Sequence, residues 1–254
     1  YLRWHRMPPG EVEAPRAWLT TVITRLCINH LKSARVQRER YIGPWLPEPL
    51  ISTDGQPDEN LQLADSLSLA FLVLLETLTP TERAVLVLRD VFGSEFSEIA
   101  TIVHRSEVNC RQILARARKS VGERRPRFDA SREQAEQLLE KFQRAVEDGE
   151  IGGLLDLLAQ DVVLVSDGGG KARALMRPIR GADSLARLFV NAKRKFDSGA
   201  EEIEHARVNG LPGLVAFEGT RAKRVMAFGI LEGRIQSVFV ITNPEKIRHL
   251  DRTR

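Results

Sequence analysis

From Arg16 to about Arg40 apolar residues return every three or four positions, at Trp18, Leu19, Val22, Leu26 and Leu31, which predicts one long helix. Pro15 suits its first turn. A second run opens at Thr79-Pro80-Thr81-Glu82, where the Thr79 hydroxyl can accept from an orphan amide and Glu82 can reach back to the cap. Ala84, Val85, Leu88, Val91 and Phe92 follow at helical spacing until Gly93 supplies a stop. The next helix is predicted from about Glu95 to Val103, with Ile99, Ile102 and Val103 on its inner face. After a turn at His104-Arg105, Ser106 can cap a third helix. That helix carries Val108, Ile113, Leu114 and Ala117 inward and Arg111, Gln112, Arg116, Arg118 and Lys119 outward. Three short helices in this order read as a helix-turn-helix whose third member is the recognition helix.

The pattern changes after Arg127. Ser131 to Glu147 predicts an amphipathic helix capped by Ser131 and ended by Gly149, and a short helix covers Gly153 to Ala159. A strand at Val162 to Ser166 leads into Asp167-Gly168-Gly169-Gly170-Lys171, and Ala174 to Ile179 reads as a returning strand. Asp183 to Phe196 is helical; strands follow near Ile203 to Val208, Leu214 to Phe217, Val225 to Leu231 and Ile235 to Thr242, the last two joined by a Glu232-Gly233 turn. Helices packed on one antiparallel, curved sheet make an α+β domain behind an all-α amino-terminal part. Arg6 to Pro15 is a loop, and Tyr41 to Asn60 is a proline-rich linker with a turn at Thr53-Asp54-Gly55. Its Trp45-Leu46-Pro47-Glu48-Pro49 is too apolar for a free tether. Stiffened by proline, it loses little entropy on binding and is expected to dock on a surface.

Charge distribution turns the helical pattern toward nucleic acid. Between Glu107 and Arg127 seven Lys/Arg stand against two Glu, and the carboxyl half of the first helix carries Lys32, Arg35, Arg38 and Arg40 against Glu39. Such faces attract a phosphate backbone by releasing counterions; a solvated basic face on a plain bundle is the competing reading. The whole chain, at 254 residues with 43% hydrophobic and 28% charged residues, suits about two soluble domains. Its two cysteines, Cys27 and Cys110, lie in separate helices and support neither a disulfide framework nor a zinc site, so no metal and no cofactor is expected. The longest apolar run, Leu67 to Leu75, is far shorter than the roughly 20 residues that span a bilayer. The expected setting is a reducing cytoplasm with no membrane partner. Tyr1 begins inside what reads as a helix, so the natural start is expected to lie upstream.

With these residues in view, the chain resembles bacterial extracytoplasmic-function sigma factors, in particular the group carrying a SnoaL-like (NTF2-like) domain at the carboxyl end. Pro15 to Arg40 looks like the rear half of sigma domain 2, and Leu67 to Val121 like sigma domain 4. Trp45-Leu46-Pro47-Glu48-Pro49 resembles the group's linker motif; Asp167 to Lys171 and Asn243-Pro244-Glu245-Lys246-Ile247 are similar to signature segments of its last domain, with Glu245 and Ile247 replacing the usual Asp and Leu. The implied division is 1–40 for partial domain 2, 41–60 for the linker, 61–127 for domain 4 and 128–254 for the SnoaL-like domain. The resemblance implies RNA polymerase core and promoter DNA as partners. It places Trp18, Arg25, Asn29, Lys32, Arg35 and Arg38 at the −10 element, with Trp18 holding a flipped base or serving as a core anchor. Ser106, Asn109, Arg111, Gln112, Arg116 and Lys119 fall to the −35 helix, Arg111 and Gln112 at base edges, Arg116 and Lys119 at phosphates. Trp45 to Pro49, Asp167, Gly168, Gly169, Gly170 and Lys171, and a mobile tail at Asn243, Pro244, Glu245 and Lys246 are the expected regulatory contacts. The front of domain 2, the family's main clamp for core polymerase, would precede Tyr1.

An enzyme fused to a DNA-binding module is the rival reading. The acid-base groups available to it are Asp156, Asp161, Asp167 and His205, all with ordinary turn or surface explanations, and both tyrosines, Tyr1 and Tyr41, lie outside the domain. No catalytic residue is therefore assigned. A one-component regulator with a ligand-sensing domain is the third reading, its ligand unspecified. The glycine triplet lacks the Lys-Ser or Lys-Thr ending of a phosphate loop and reads as a turn.

Overall fold

The computed structural model describes residues 14–38, 41–52, 72, 75, 78–122, 131–196 and 201–252. The loop from Arg6, the Thr53-Asp54-Gly55 turn and most of the Leu67 to Leu75 run lie outside them. The chain forms two compact units, one from residues 1–39 and 75–124, the other from residues 40–74 and 125–254.

In the first unit α1 (Pro15–Arg38) is followed by α2 (Pro80–Asp90), α3 (Phe96–Val103) and α4 (Glu107–Gly122). The Thr79 capping box forms as its residues predict: the Glu82 amide donates to Thr79 Oγ1 at 3.3 Å and the Thr79 amide to Glu82 Oε2 at 2.9 Å. A second box at Glu95 and Glu98 starts α3. His104 closes α3 at φ 54°, a left-handed position that glycine more often fills. Val85, Leu86, Leu88, Ile99, Ala100, Ile102, Cys110, Ile113, Leu114 and Ala117 form the buried interior. Val108, read as inward, is instead exposed, and so are Val91 and Phe92 from the apolar spacing that precedes Gly93. Val91 and Phe92 lie beyond the end of α2, where the chain unwinds toward Gly93, and Val108, 64% exposed, sits on the outer side of α4's first turn.

The second unit is a sheet of seven strands among the described residues, in the order β1-β4-β5-β6-β7-β2-β3. They are β1 (Ile51–Ser52), β2 (Leu158–Asp167), β3 (Ile179–Arg180), β4 (Glu201–Val208), β5 (Leu211–Glu218), β6 (Arg221–Leu231) and β7 (Arg234–Ile241). α5 (Arg132–Asp148), α6 (Ile151–Leu157) and α7 (Ala182–Phe196) cover one face. There Phe142 meets Phe189 and Phe228 edge-on at 5.0 and 5.3 Å, filling the space between helices and sheet. The opposite face is buried too. Val215, Phe217, Val225, Phe239 and Ile241 pack there against Leu46 from the linker and Ile247 from α8 (Pro244–Ile247). Burial on both sides explains why Leu214 to Phe217 is a continuous apolar run rather than an alternating one.

Several sequence expectations change here. The sheet is not purely antiparallel, because β2 pairs with β7 in parallel, Val165 beside Phe239. Leu158 and Ala159 belong to β2 rather than to the preceding helix, since both are buried in the sheet core. Ala174 to Ile179 does not return as a strand; pairing is confined to Ile179 and Arg180 opposite Leu164 and Val163. Asn243 to Lys246 is no mobile tail. Asn243 caps α8 through Glu245, and Asn243 and Ile247 are buried. The linker enters the sheet itself, with Ile51 and Ser52 opposite Val208 and Arg207 on the β4 edge.

Truncating the aromatic at the centre of the helix-covered face, Phe142→Ala, is expected to destabilise the second unit by about 3–5 kcal/mol. Calorimetry should show the transition of that unit shifted down while the α2–α4 transition stays in place.

Candidate nucleic-acid interface and linker-docking site

β2 ends at Asp167, whose side chain is fully buried, and four donors converge on its carboxylate. The Tyr41 hydroxyl donates to Oδ1 at 2.5 Å and the Gly169 amide at 3.0 Å; the Leu46 amide donates to Oδ2 at 2.8 Å and Lys246 Nζ at 2.7 Å. Linker, glycine turn and carboxyl-terminal helix thus share one anion. Lys246 Nζ also donates to the Leu46 carbonyl and lies 4.2 Å from the Trp45 ring centroid and 5.2 Å from that of Tyr41. Asn243 Nδ2 donates to the Tyr41 hydroxyl at 2.9 Å. Burial, reinforced by the bond to Asp167, raises the Tyr41 phenol far above its ordinary value, so it stays a donor well into the alkaline range.

The Gly168 to Gly170 turn fits this cluster because there is no room for side chains. A Cβ on Gly169 would run into Asn243, and one on Gly170 would stand 2.8 Å from Ile42 Cδ1; both residues also have positive φ, 58° and 72°. Lys171 pairs with Glu245 at the surface, and this pairing lowers the Glu245 carboxyl.

The remainder of the linker is held further along. The Asn209 amide donates to the Leu50 carbonyl at 2.8 Å, Asn209 Oδ1 accepts from the Leu50 amide at 3.1 Å, and Asn209 Nδ2 reaches the Glu48 carbonyl at 3.3 Å. His249 Nε2 lies 3.0 Å from the Pro49 carbonyl and its Nδ1 3.3 Å from the Glu48 carboxylate. Leu46, Pro47 and Pro49 are buried, Trp45 is half-buried and Glu48 is exposed. Tyr41, Asn209 and His249 were not singled out from the sequence. Tyr41 precedes the domain in sequence, yet its hydroxyl lies at the centre of the cluster. Asn209-Gly210 reads only as a tight turn, and its second role depends on a linker 160 positions away.

In the first unit, Ser106, Arg111, Gln112, Arg116, Arg118 and Lys119 line the exposed side of α4. Ser106 Oγ accepts from the half-buried Asn109's amide at 3.3 Å, capping the helix. Arg118 is held by Asp90 through contacts of 2.6 and 3.2 Å. On α1, Asn29 and Lys32 are exposed, Trp18 is half-buried, and the side chains of Arg35 and Arg38 lie outside the described residues. Arg25 donates to the Thr101 and Ile102 carbonyls at 3.2 and 3.4 Å, a cation at the carboxyl end of α3. His205 contacts Gln143, and Asp156 and Asp161 are exposed, so the acid-base groups weighed above do not converge. Among the described residues no cluster of His, Cys, Asp and Glu could hold a metal, and no helix is long and apolar enough to cross a membrane.

A helix-turn-helix with a basic third helix, joined to an α+β domain that grips its own linker, defines a DNA-reading regulator class. Residues 68–121 match the Sigma-70, region 4 family. The chain is 33% identical over 97% of its length to the ECF RNA polymerase sigma factor SigJ of Mycobacterium tuberculosis, covering 82% of that protein. It is 30% identical over 97% of its length to the probable ECF RNA polymerase sigma factor SigI of the same organism, covering 83%. The crystal structure of M. tuberculosis SigJ superposes with a TM-score of 0.74 at 30% identity, covering 96% of this chain and 86% of that one. The chain belongs to the extracytoplasmic-function RNA polymerase sigma factors, with a helical amino-terminal region containing sigma region 4 followed by an α+β domain.

Removing one member of a buried ion pair leaves an uncompensated charge, a loss of about 3–5 kcal/mol. Asp167→Asn is therefore expected to release residues 41–49 from the domain. Hydrogen exchange at the Leu46 amide checks this: protection should fall by at least about 100-fold. A second check is alkaline titration. The folded-state pKa of Tyr41 is raised, so docking is fully supported below the free-phenol value of about 10 and weakens as pH rises above it. Tyr41→Phe should remove that pH dependence.

Proposed function

We propose that this chain directs RNA polymerase core to specific promoters and that its carboxyl-terminal domain governs this activity in cis by holding the linker. In this reading residues 1–40 are the rear of domain 2, 41–60 the linker, 61–127 domain 4 and 128–254 the regulatory domain. α4 enters the −35 major groove, with Arg111 and Gln112 at base edges, Arg116 and Lys119 on phosphates, and Ser106 and Asn109 at its amino end. α1 serves the −10 element through Trp18, Arg25, Asn29, Lys32, Arg35 and Arg38. The protein works in the cytoplasm, beside the chromosome.

The observation that carries the cis reading is the Asp167 cluster, which holds Tyr41 and Leu46 in the tether between α1 and α2. A fixed segment shortens the free tether, so docking biases the separations that the two DNA-binding modules sample. A differential of about 1–3 kcal/mol between docked and released forms is enough for a usable switch.

Run-off transcription from a cognate promoter with purified core polymerase is expected to depend on this chain; an ordinary activator or a fused enzyme would leave core silent. Energy transfer between labels on α1 and α4, measured for the full chain, for Trp45→Ala and for a chain ending before Asn243, should change together with transcription. Unchanged distance and activity in both variants would make the linker a passive tether. On DNA, Arg111→Ala should cost about 1–3 kcal/mol on the preferred site and blur sequence choice. Lys119→Ala should weaken all duplexes alike and reduce the salt slope by about one.

A further inference from the structure

Phe96, the first residue of α3, carries a guanidinium group from each neighbouring helix on its ring. Arg89, in the last turn of α2, lies 4.9 Å from the ring centroid, and Arg111, in the second turn of α4, lies 4.7 Å from it. Arg89 is committed to the loop between α2 and α3, donating to the Ser94 carbonyl at 2.8 Å and pairing with Glu95 at 3.3 Å. Arg111 donates from Nη2 to Glu107 Oε2 at 3.0 Å, and its side chain remains 53% exposed. One arginine therefore closes a loop, while the other is held at two points with its remaining donors open to solvent.

We propose that Phe96 is a positioning residue for promoter reading: its ring, with the Glu107 carboxylate, fixes the plane of the Arg111 guanidinium for a guanine edge in the −35 major groove. This rests on the reading of α4 as the −35 helix. A guanidinium has five N–H donors on three nitrogens, and Glu107 engages Nη2 alone, so a pair remains for the O6 and N7 acceptors of guanine. Bidentate recognition demands a fixed plane, and an unrestrained arginine would lose its large rotamer entropy on each binding event. Stacking on Phe96 removes that freedom before DNA arrives. A base edge offers its two acceptors in a single plane, so an arginine whose own plane is fixed by stacking and a carboxylate is suited to read it. The sequence does not reveal the pairing, because Phe96 and Arg111 are 15 positions apart on different helices.

The test uses the full chain with core polymerase on promoters randomised across the −35 element, sequencing the DNA retained. Wild type should show a guanine preference at one position that Arg111→Ala abolishes. Phe96→Leu, which keeps an apolar side chain but removes the ring, should lower that preference about tenfold with the loss confined to the same position. Phe96→Trp should restore it, and the Phe96→Leu, Arg111→Ala double variant should lose no more than Arg111→Ala. Glu107→Gln should give a partial loss at that position. If Arg111→Ala leaves every preference intact, the base-reading role of Arg111 fails and the inference falls with it. If Arg111→Ala flattens the position and Phe96→Leu does not, the inference alone is overturned. Equal losses at all positions for Phe96→Leu, with Phe96→Trp no better, would assign the ring to the packing of the helices and likewise overturn it.

Discussion

A carboxylate without solvent contact persists only where its charge is answered by donors, and the arrangement around Asp167 follows from that constraint. Its partners come from three separate stretches of chain: the linker at Tyr41 and Leu46, the glycine turn at Gly169, and the carboxyl-terminal helix at Lys246. Their apolar packing runs chiefly through Leu46 and Ile247, which share one buried cluster. A buried pair of this kind is weak evidence for net stability, because desolvating both ions offsets much of their attraction. What it supplies is selectivity. The aliphatic stem of a lysine could rest in many places, but Lys246 Nζ meets the Asp167 carboxylate, the Leu46 carbonyl and the Trp45 ring in one geometry.

The same linker is secured by a different kind of interaction further along. Ile51 and Ser52 extend the sheet at the β4 edge through main-chain bonding, which is tolerant of side-chain identity, while Asn209 and His249 add local specificity at Glu48 and Pro49. Strand addition covers an edge that would otherwise offer unpaired amides and carbonyls. Linker docking and protection of the sheet are therefore coupled. Release at the Asp167 end would leave the Asn209 and His249 contacts and the short pairing at Ile51 and Ser52 to hold the linker.

The helix-turn-helix was legible because its signals are local. Thr79-Pro80-Thr81-Glu82 specifies its own start within one turn, and the apolar spacing of Ile113, Leu114 and Ala117 specifies which side of α4 faces inward. Val108, in the first turn, departs from that pattern and is exposed. Most strands and the long amphipathic helices of the second unit were legible for the same reason. Ala174 to Ile179 was misread as a strand because apolar composition alone does not supply a partner, and among these residues only Ile179 has one across the ladder. Asp167 was visible as a member of a signature segment, but its burial was not; a carboxylate beside three glycines looks like an exposed turn until a linker closes over it.

By itself the sequence determined the order of elements, their caps, the basic face of α4 and the family, since each depends on residues within a few turns of one another or on an ordered set of motifs. The tertiary structure decided which distant groups meet. Tyr41 and Asp167 are 126 positions apart, Leu46 and Lys246 are 200 apart, and the ring of Phe96 serves an arginine on the next helix. Such pairings carry no periodic or local signal. The first two follow from the parallel placement of β7 beside β2, which brings the start of α8 to the end of the strand that bears Asp167, and from the edge pairing of the linker with β4.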